Sequence, residues 1–276
     1  MQAFFVKNAI FLAAGASGEY DKRMKTHSSG SRTLHLNLLG IPVHIHLISW
    51  VVLAIIGGGL GISDRDGLVQ TLLFVAAGML ALIVHEMGHA LTARRLGGGR
   101  PSIIIAGIGG VTYTPVLPRT RLGYAAMVAA GPLAGFALGA LSGLTLGALL
   151  GCPGAGLKAA FLLPLPVSLP GEESVLIALR EGMLTHPLPQ VILQFALILM
   201  QISFWWSIFN LLPIFPLDGG KLLATLLHNE RLACIIGLVT SLLLVGLSIG
   251  TRNWFNILLT GYLAYINYRC LRDTAR

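Results

Sequence analysis

The chain has 276 residues, 55% of them hydrophobic and only 11% charged, with a mean hydropathy of +0.78. A soluble domain is about one quarter charged, so this composition excludes an ordinary soluble fold and points to an integral membrane protein. The net charge of +8 is scattered, with no aromatic-interleaved basic stripe; that excludes a nucleic-acid surface and leaves positive charge the task of setting membrane orientation.

The first 33 residues begin with QAFFVKNAIFLAAGA, whose apolar stretch is too short to span and reads as a signal-like or interfacial segment. GASGEYDKRMKTHSSGSR follows and is polar. A poorly ordered extension is expected over 1–33, with one membrane domain over 34–276. A spanning helix needs about 20 mostly apolar residues. Six runs approach that length: 47–62, 68–96, 124–150, 191–212, 232–248 and 253–268. With a cytoplasmic N-terminus, every Lys and Arg except Arg65, Lys158, Arg180 and Arg252 falls on the cytoplasmic side. Both termini are therefore expected in the cytoplasm.

PVHIHL, just before the first run, alternates His44 and His46. These are a metal-binding pair or, more simply, two interfacial histidines. Between the second and third runs, Ser102–Ala106 and 110–114 are β-branched segments separated by glycines. They predict a small hairpin, against the alternative of a loop with incidental β propensity. The loop 151–190 is Pro-rich, with an amphipathic helix expected over Glu172–Thr185. The expected fold class is an all-α polytopic membrane protein: about six transmembrane helices with a small β-hairpin between the second and third. Cys152, Cys234 and Cys270 are odd in number, far apart and without a CxxC pattern, so no disulfide is expected.

The second run contains HEMGH, residues 85–89. Positions i and i+4 share a helix face, so His85 and His89 can present two imidazoles to one metal ion, and Glu86 lies within reach of a metal-bound water as general base. Ionisable groups inside a bilayer are costly, at least ~2.5 kcal/mol for a charged side chain at mid-depth. A buried polar cluster holding helices together is the alternative. A catalytic zinc keeps three protein ligands, so one is missing. Asp64 and Asp66 lie opposite the motif's end of the helix, and Glu172, Glu173 and Glu181 lie in the far loop. Asp218, in NLLPIFPLDGGKLL, falls at the cytoplasmic end of the fourth run, at the depth of HEMGH. Pro213 and Pro216 break the helix there, and Gly219 and Gly220 permit a sharp turn. The alternative role for Asp218 is a helix N-cap for 221–227.

HEMGHALTARR together with NLLPIFPLDGGKLL resembles the site-2 protease family of intramembrane zinc metalloproteases. That family carries HExxH in one membrane helix and an NxxPxxxxDG-type motif in a later one; Asn210, Pro213, Asp218 and Gly219 match the spacing. GIPVHIHLISW resembles the segment before the family's first core helix, and AAGPLAGF its glycine-proline signature. The resemblance implies one Zn2+ per chain held by His85, His89 and Asp218, with Glu86 as catalytic acid and base and Asn210 lining the site for the substrate backbone or the oxyanion. It implies a three-helix catalytic core, here about 68–222, and an active site toward the cytoplasmic side. The expected partners are a transmembrane protein substrate and the lipid bilayer, with no nucleic acid, and the compact form without PDZ or CBS domains suggests a prokaryotic cell membrane. The expected function is endopeptidic cleavage of transmembrane or membrane-proximal segments, as in regulated intramembrane proteolysis. The hairpin would accept the unwound substrate by strand addition. The competing readings are a catalytically silent scaffold of the same fold and, third, a metal transporter, which would spread polar groups along a pathway.

Overall fold

The computed structural model describes residues 33–165, 169–252 and 254–274; apart from Thr33, the N-terminal extension lies outside them. Strands β1 (Thr33–Leu38) and β2 (Ile41–His46) form an antiparallel hairpin. Its turn is Leu39–Gly40, both at positive φ, 52° and 77°, as a two-residue hairpin turn requires. β2 then pairs in parallel with β3 (Ser102–Ala106), and β3 pairs antiparallel with β4 (Gly109–Tyr113). The expected hairpin is present, but as half of a four-stranded sheet ordered β1-β2-β3-β4. IPVHIH alternates as a half-buried strand does: Ile41, Val43 and Ile45 are buried beside Ile103 and Ile105, while Pro42, His44 and His46 face the other way. His44 finds its partner across the hairpin in His35, Nδ1 to Nδ1 2.6 Å, rather than in His46. Burial, then the neighbouring His35 and His46, hold the His44 pKa below its ordinary value.

The helices follow as α1 (Leu47–Ile56), α2 (Arg65–Arg95), α3 (Arg121–Leu149), α4 (Pro153–Leu162), α5 (Glu172–Thr185), α6 (Gln190–Leu211), α7 (Asp218–Leu227), α8 (Glu230–Gly250) and α9 (Trp254–Asp273). The fold class is the expected one: a helical membrane protein with a small β-sheet. Among the described residues, α2, α3, α6 and α8 are long and apolar enough to cross a membrane. The first expected run differs, because Gly57 and Gly58 end α1 after 10 residues and a 3-10 turn over Gly59–Gly61 follows. The last run is a 20-residue helix that carries Arg269, Arg272 and Asp273 in its final turns. The amphipathic helix of the far loop is α5, with the expected bounds.

Two local devices fix α2. Asp64 caps it by accepting from the Gly67 N–H at 2.7 Å. At the other end Arg94 donates to the Leu39 carbonyl at 2.7 Å, tying the β1–β2 turn to the helix. The sheet then lies on α2 through Ile41, Val43, Ile45, Ile103 and Ile105, which pack with Met79, Leu82, Met87 and Ala90 around the motif.

α3 is the packing spine. Gly131, Gly135, Gly139, Gly143 and Gly147 recur every four residues and are all buried, the small-residue stripe by which membrane helices approach closely. A Cβ on Gly135 would overlap Ser207 of α6, and one on Gly143 would overlap the Gly156 backbone of α4. So α2, α3 and α6 form a tight three-helix core.

α8 and α9 pack beside each other, and Cys234 and Cys270 form a disulfide between them. The expectation of no disulfide is corrected. The sequence separation of 36 disguised a pair that two neighbouring helices bring side by side.

Candidate metal centre

His85, Glu86 and His89 stand near the Arg-rich end of α2, at 2%, 5% and 9% exposure, and Asp218 across from them is 4% exposed. The helical period brings the two imidazoles to one side; the break after α6 brings the carboxylate to them. That break is held by close backbone contact. A Cβ on Gly219 would overlap the Leu211 and Leu212 carbonyls, and one on Gly220 would lie 2.6 Å from the Ile214 carbonyl carbon. Neither glycine adopts a positive φ; they serve approach rather than the sharp turn the sequence suggested. Asp218 is the first residue of α7, and the N-cap position belongs to Leu217 with no side-chain cap bond. The carboxylate is therefore not spent on capping 221–227.

Asp218 Oδ2 lies 3.2 Å from His85 Nε2 and 3.0 Å from His89 Nε2, and the two Nε2 atoms are 3.2 Å apart. Among the described residues this is the one His/Cys/Asp/Glu trio whose ligand atoms converge. The edges suit a tetrahedral ion: ligand bonds of about 2.0–2.1 Å imply ligand–ligand edges of roughly 3.3–3.4 Å. Tautomer chemistry points the same way. His89 Nδ1 lies 2.8 Å from the Met127 carbonyl, which can only accept, so Nδ1 carries the proton. A neutral His89 then turns the Nε2 lone pair toward a carboxylate oxygen. In the neutral ring acceptor faces acceptor, a conflict that a metal ion between them removes, as would a second proton on the ring. On α3, Gly131 makes room, since a Cβ there would overlap the His89 ring. The other Asp218 oxygen, Oδ1, accepts from Lys221 Nζ at 3.0 Å.

Glu86 points instead to the sheet. Thr112 of β4 donates to Glu86 Oε2 at 2.7 Å and to its backbone carbonyl at 3.1 Å. Gly110 of the same strand lies against its side chain. Trp206 of α6 flanks His85, with ring centroids 6.5 Å apart. Asn210 is buried, and its amide donates to the Trp206 carbonyl at 2.8 Å. No contact between Asn210 and the trio is among the described interactions. Asp64 is taken by its helix cap, and neither Asp66 nor Glu172, Glu173 and Glu181 joins the trio. Sequence reasoning missed Thr112, Lys221 and the Met127 carbonyl. The glycine stripe of α3 was a readable signal for the last of these, because its first member faces His89.

A sequence model of peptidase family M50 matches residues 73–245, more than half of the chain and both motifs. A zinc metalloprotease of Methanocaldococcus jannaschii is 24% identical over 193 residues, which cover 70% of this chain and 44% of the relative. The chain thus spans less than half the length of that curated relative. The solved structure of the site-2 protease from Methanocaldococcus jannaschii is similar in fold, with a TM-score of 0.52 and 20% identity, over 88% of this chain and 95% of that one.

Proposed function

The chain belongs to peptidase family M50, and from that premise we propose that it is an intramembrane zinc endopeptidase that cleaves transmembrane or membrane-proximal segments of protein substrates. The observation that carries this is the convergence of His85 Nε2, His89 Nε2 and Asp218 Oδ2 beside Glu86. The domain runs over 34–276 with its catalytic core at about 68–222. Both termini and the active site face the cytoplasm. His85, His89 and Asp218 would hold one zinc ion, and the chemistry that ion would supply is Lewis-acid polarisation of the scissile carbonyl and acidification of the attacking water. Met127 and Lys221 orient the ligands; Lys221 occupies Asp218 Oδ1 and so leaves Oδ2 alone to ligate. Glu86, steadied by Thr112, takes the proton of the attacking water and returns it to the leaving amine. Asn210 stands ready to meet the substrate backbone.

A substrate helix must unwind before its amide is open to attack, which strands its backbone hydrogen bonds in an apolar setting. β4 has no strand partner on its outer side among the described residues and holds Glu86 through Thr112, so a segment added there lies beside the base. That arrangement supports strand addition as the means of compensation.

The test compares wild type with Glu86→Gln in vesicles, reading zinc content and cleavage of a panel of single-span substrates. Equal zinc with cleavage only by wild type is expected. Equal cleavage by both overturns the mechanism, and zinc without cleavage in either favours a silent scaffold.

A further inference from the structure

The metal ligand Asp218 sits at the end of an irregular segment, and that segment is gripped from outside the three-helix core. Asn267 on α9 is fully buried. Its Oδ1 accepts from the Phe215 N–H at 3.1 Å, and its Nδ2 donates to the Phe215 carbonyl at 2.8 Å and to the Leu263 carbonyl at 2.8 Å. A carboxamide offers one carbonyl acceptor and two donor hydrogens, and here each finds a partner. Phe215 is held on both sides of its Cα, as a strand partner would hold it, three residues before Asp218.

The grip is itself bedded. Gly237 of α8 lies under it: a Cβ there would overlap Asn267 Oδ1 and come within 3.2 Å of the Pro213 carbonyl. A buried amide among Leu263, Ala264 and Cys270 is costly unless fully satisfied. An apolar residue would pack there at no such cost, so the position is explained by what the amide holds. Asn267 also lies outside the residues 73–245 that match the family model.

We infer that Asn267 is a positioning residue for the metal centre: by clamping the Phe215 backbone it sets where Asp218 Oδ2 stands relative to the two imidazoles. This rests on the zinc reading above. Supporting groups that orient metal ligands typically govern affinity by 10- to 100-fold, and a clamp three residues along the backbone falls in that class.

The test uses the full chain in detergent micelles, with cobalt(II) as spectroscopic substitute and zinc by competition. Asn267→Leu removes all three hydrogen bonds at similar volume. Gly237→Ala leaves the amide in place but pushes it, and decides the matter if the leucine variant does not fold. In correctly folded protein, judged by unchanged far-UV circular dichroism and elution volume, both are expected to bind metal about 10- to 100-fold more weakly and to alter the visible cobalt bands. A purely structural role would lower thermal stability and leave the affinity and spectrum of the folded protein as in wild type; that result overturns the inference. Asp218→Ala is the control for the reading beneath it: if wild type binds no more metal than this variant, the zinc site falls and the inference with it.

Discussion

Gly110→Ala isolates the placement of Glu86, the proposed base, from the proposed binding of metal. A Cβ at that position lies 2.5 Å from Glu86 Cγ and 2.7 Å from both Cδ and Oε1. Non-bonded carbon atoms prefer about 3.5–4.0 Å, so the carboxylate must retreat by roughly 1 Å. The strand cannot retreat in its place, because β3 beside it is anchored by the fully buried Ile103 and Ile105. Moving away from β4 also breaks the 2.7 Å bond from Thr112. A misplacement of about 1 Å costs on the order of 100-fold in rate, or about 2.7 kcal/mol in the barrier. The atoms crowded are those of Glu86 alone, so zinc stoichiometry is expected to stay at the wild-type value. The assay is kcat/KM on a single-span substrate in vesicles, with zinc measured on the same sample. Zinc-loaded Gly110→Ala cutting within about threefold of wild type would refute the reasoning, since Glu86 would then not work from its seat on β4. Zinc loss in parallel with activity would refute it differently, by showing that Gly110 supports the ligands as well.

Thr112→Val keeps shape and removes the donor; hydrogen bonds to charged groups contribute about 1.5–3 kcal/mol, so kcat should drop roughly 10- to 100-fold at unchanged zinc content, and an unchanged kcat contradicts the steadying role. Gly131→Ala acts on the other side of the site: its Cβ overlaps the His89 ring, and equilibrium dialysis should show zinc affinity weakened at least about 10-fold. His44 supplies a pH dependence. Its pKa is depressed by burial and by His35 and His46, so the folded hairpin binds fewer protons than the unfolded chain. The stability of that hairpin is then complete above the unfolded value of about 6.5 and declines as pH falls through it toward the depressed folded value. Amide exchange of β1 and β2, corrected for intrinsic rates, should quicken between pH 7.5 and 5.5; equal protection at both ends argues against the pairing with His35.

Periodicity made half of the centre readable. His85 and His89 follow from the helical repeat, and Asp218 follows from the depth that the charge distribution assigns to two distant segments. The pieces that sequence did not disclose are those whose partners lie across the fold. Thr112 reaches Glu86 from a strand 26 residues on, and Asn267 reaches Phe215 across 52 residues. Met127 contributes a carbonyl, a group that every residue has and no letter marks. β1 and β2 were more legible than the reading allowed, since LHLNL and IPVHIH flank Leu39–Gly40 as a hairpin does. The parallel partner β3 begins 56 residues after β2 ends, beyond any local pattern.

The place of the motif along α2 bears on what becomes of the products. At 1.5 Å per residue, His85 stands about 15 Å from Arg95 at one end of the helix and about 30 Å from Arg65 at the other. On the proposed reading, a substrate helix lying alongside would be cut off-centre, leaving the shorter embedded stretch on the Arg95 side. At about ten residues that stretch would fall short of the ~20 needed to span a bilayer, so its hold on lipid would be the weaker of the two.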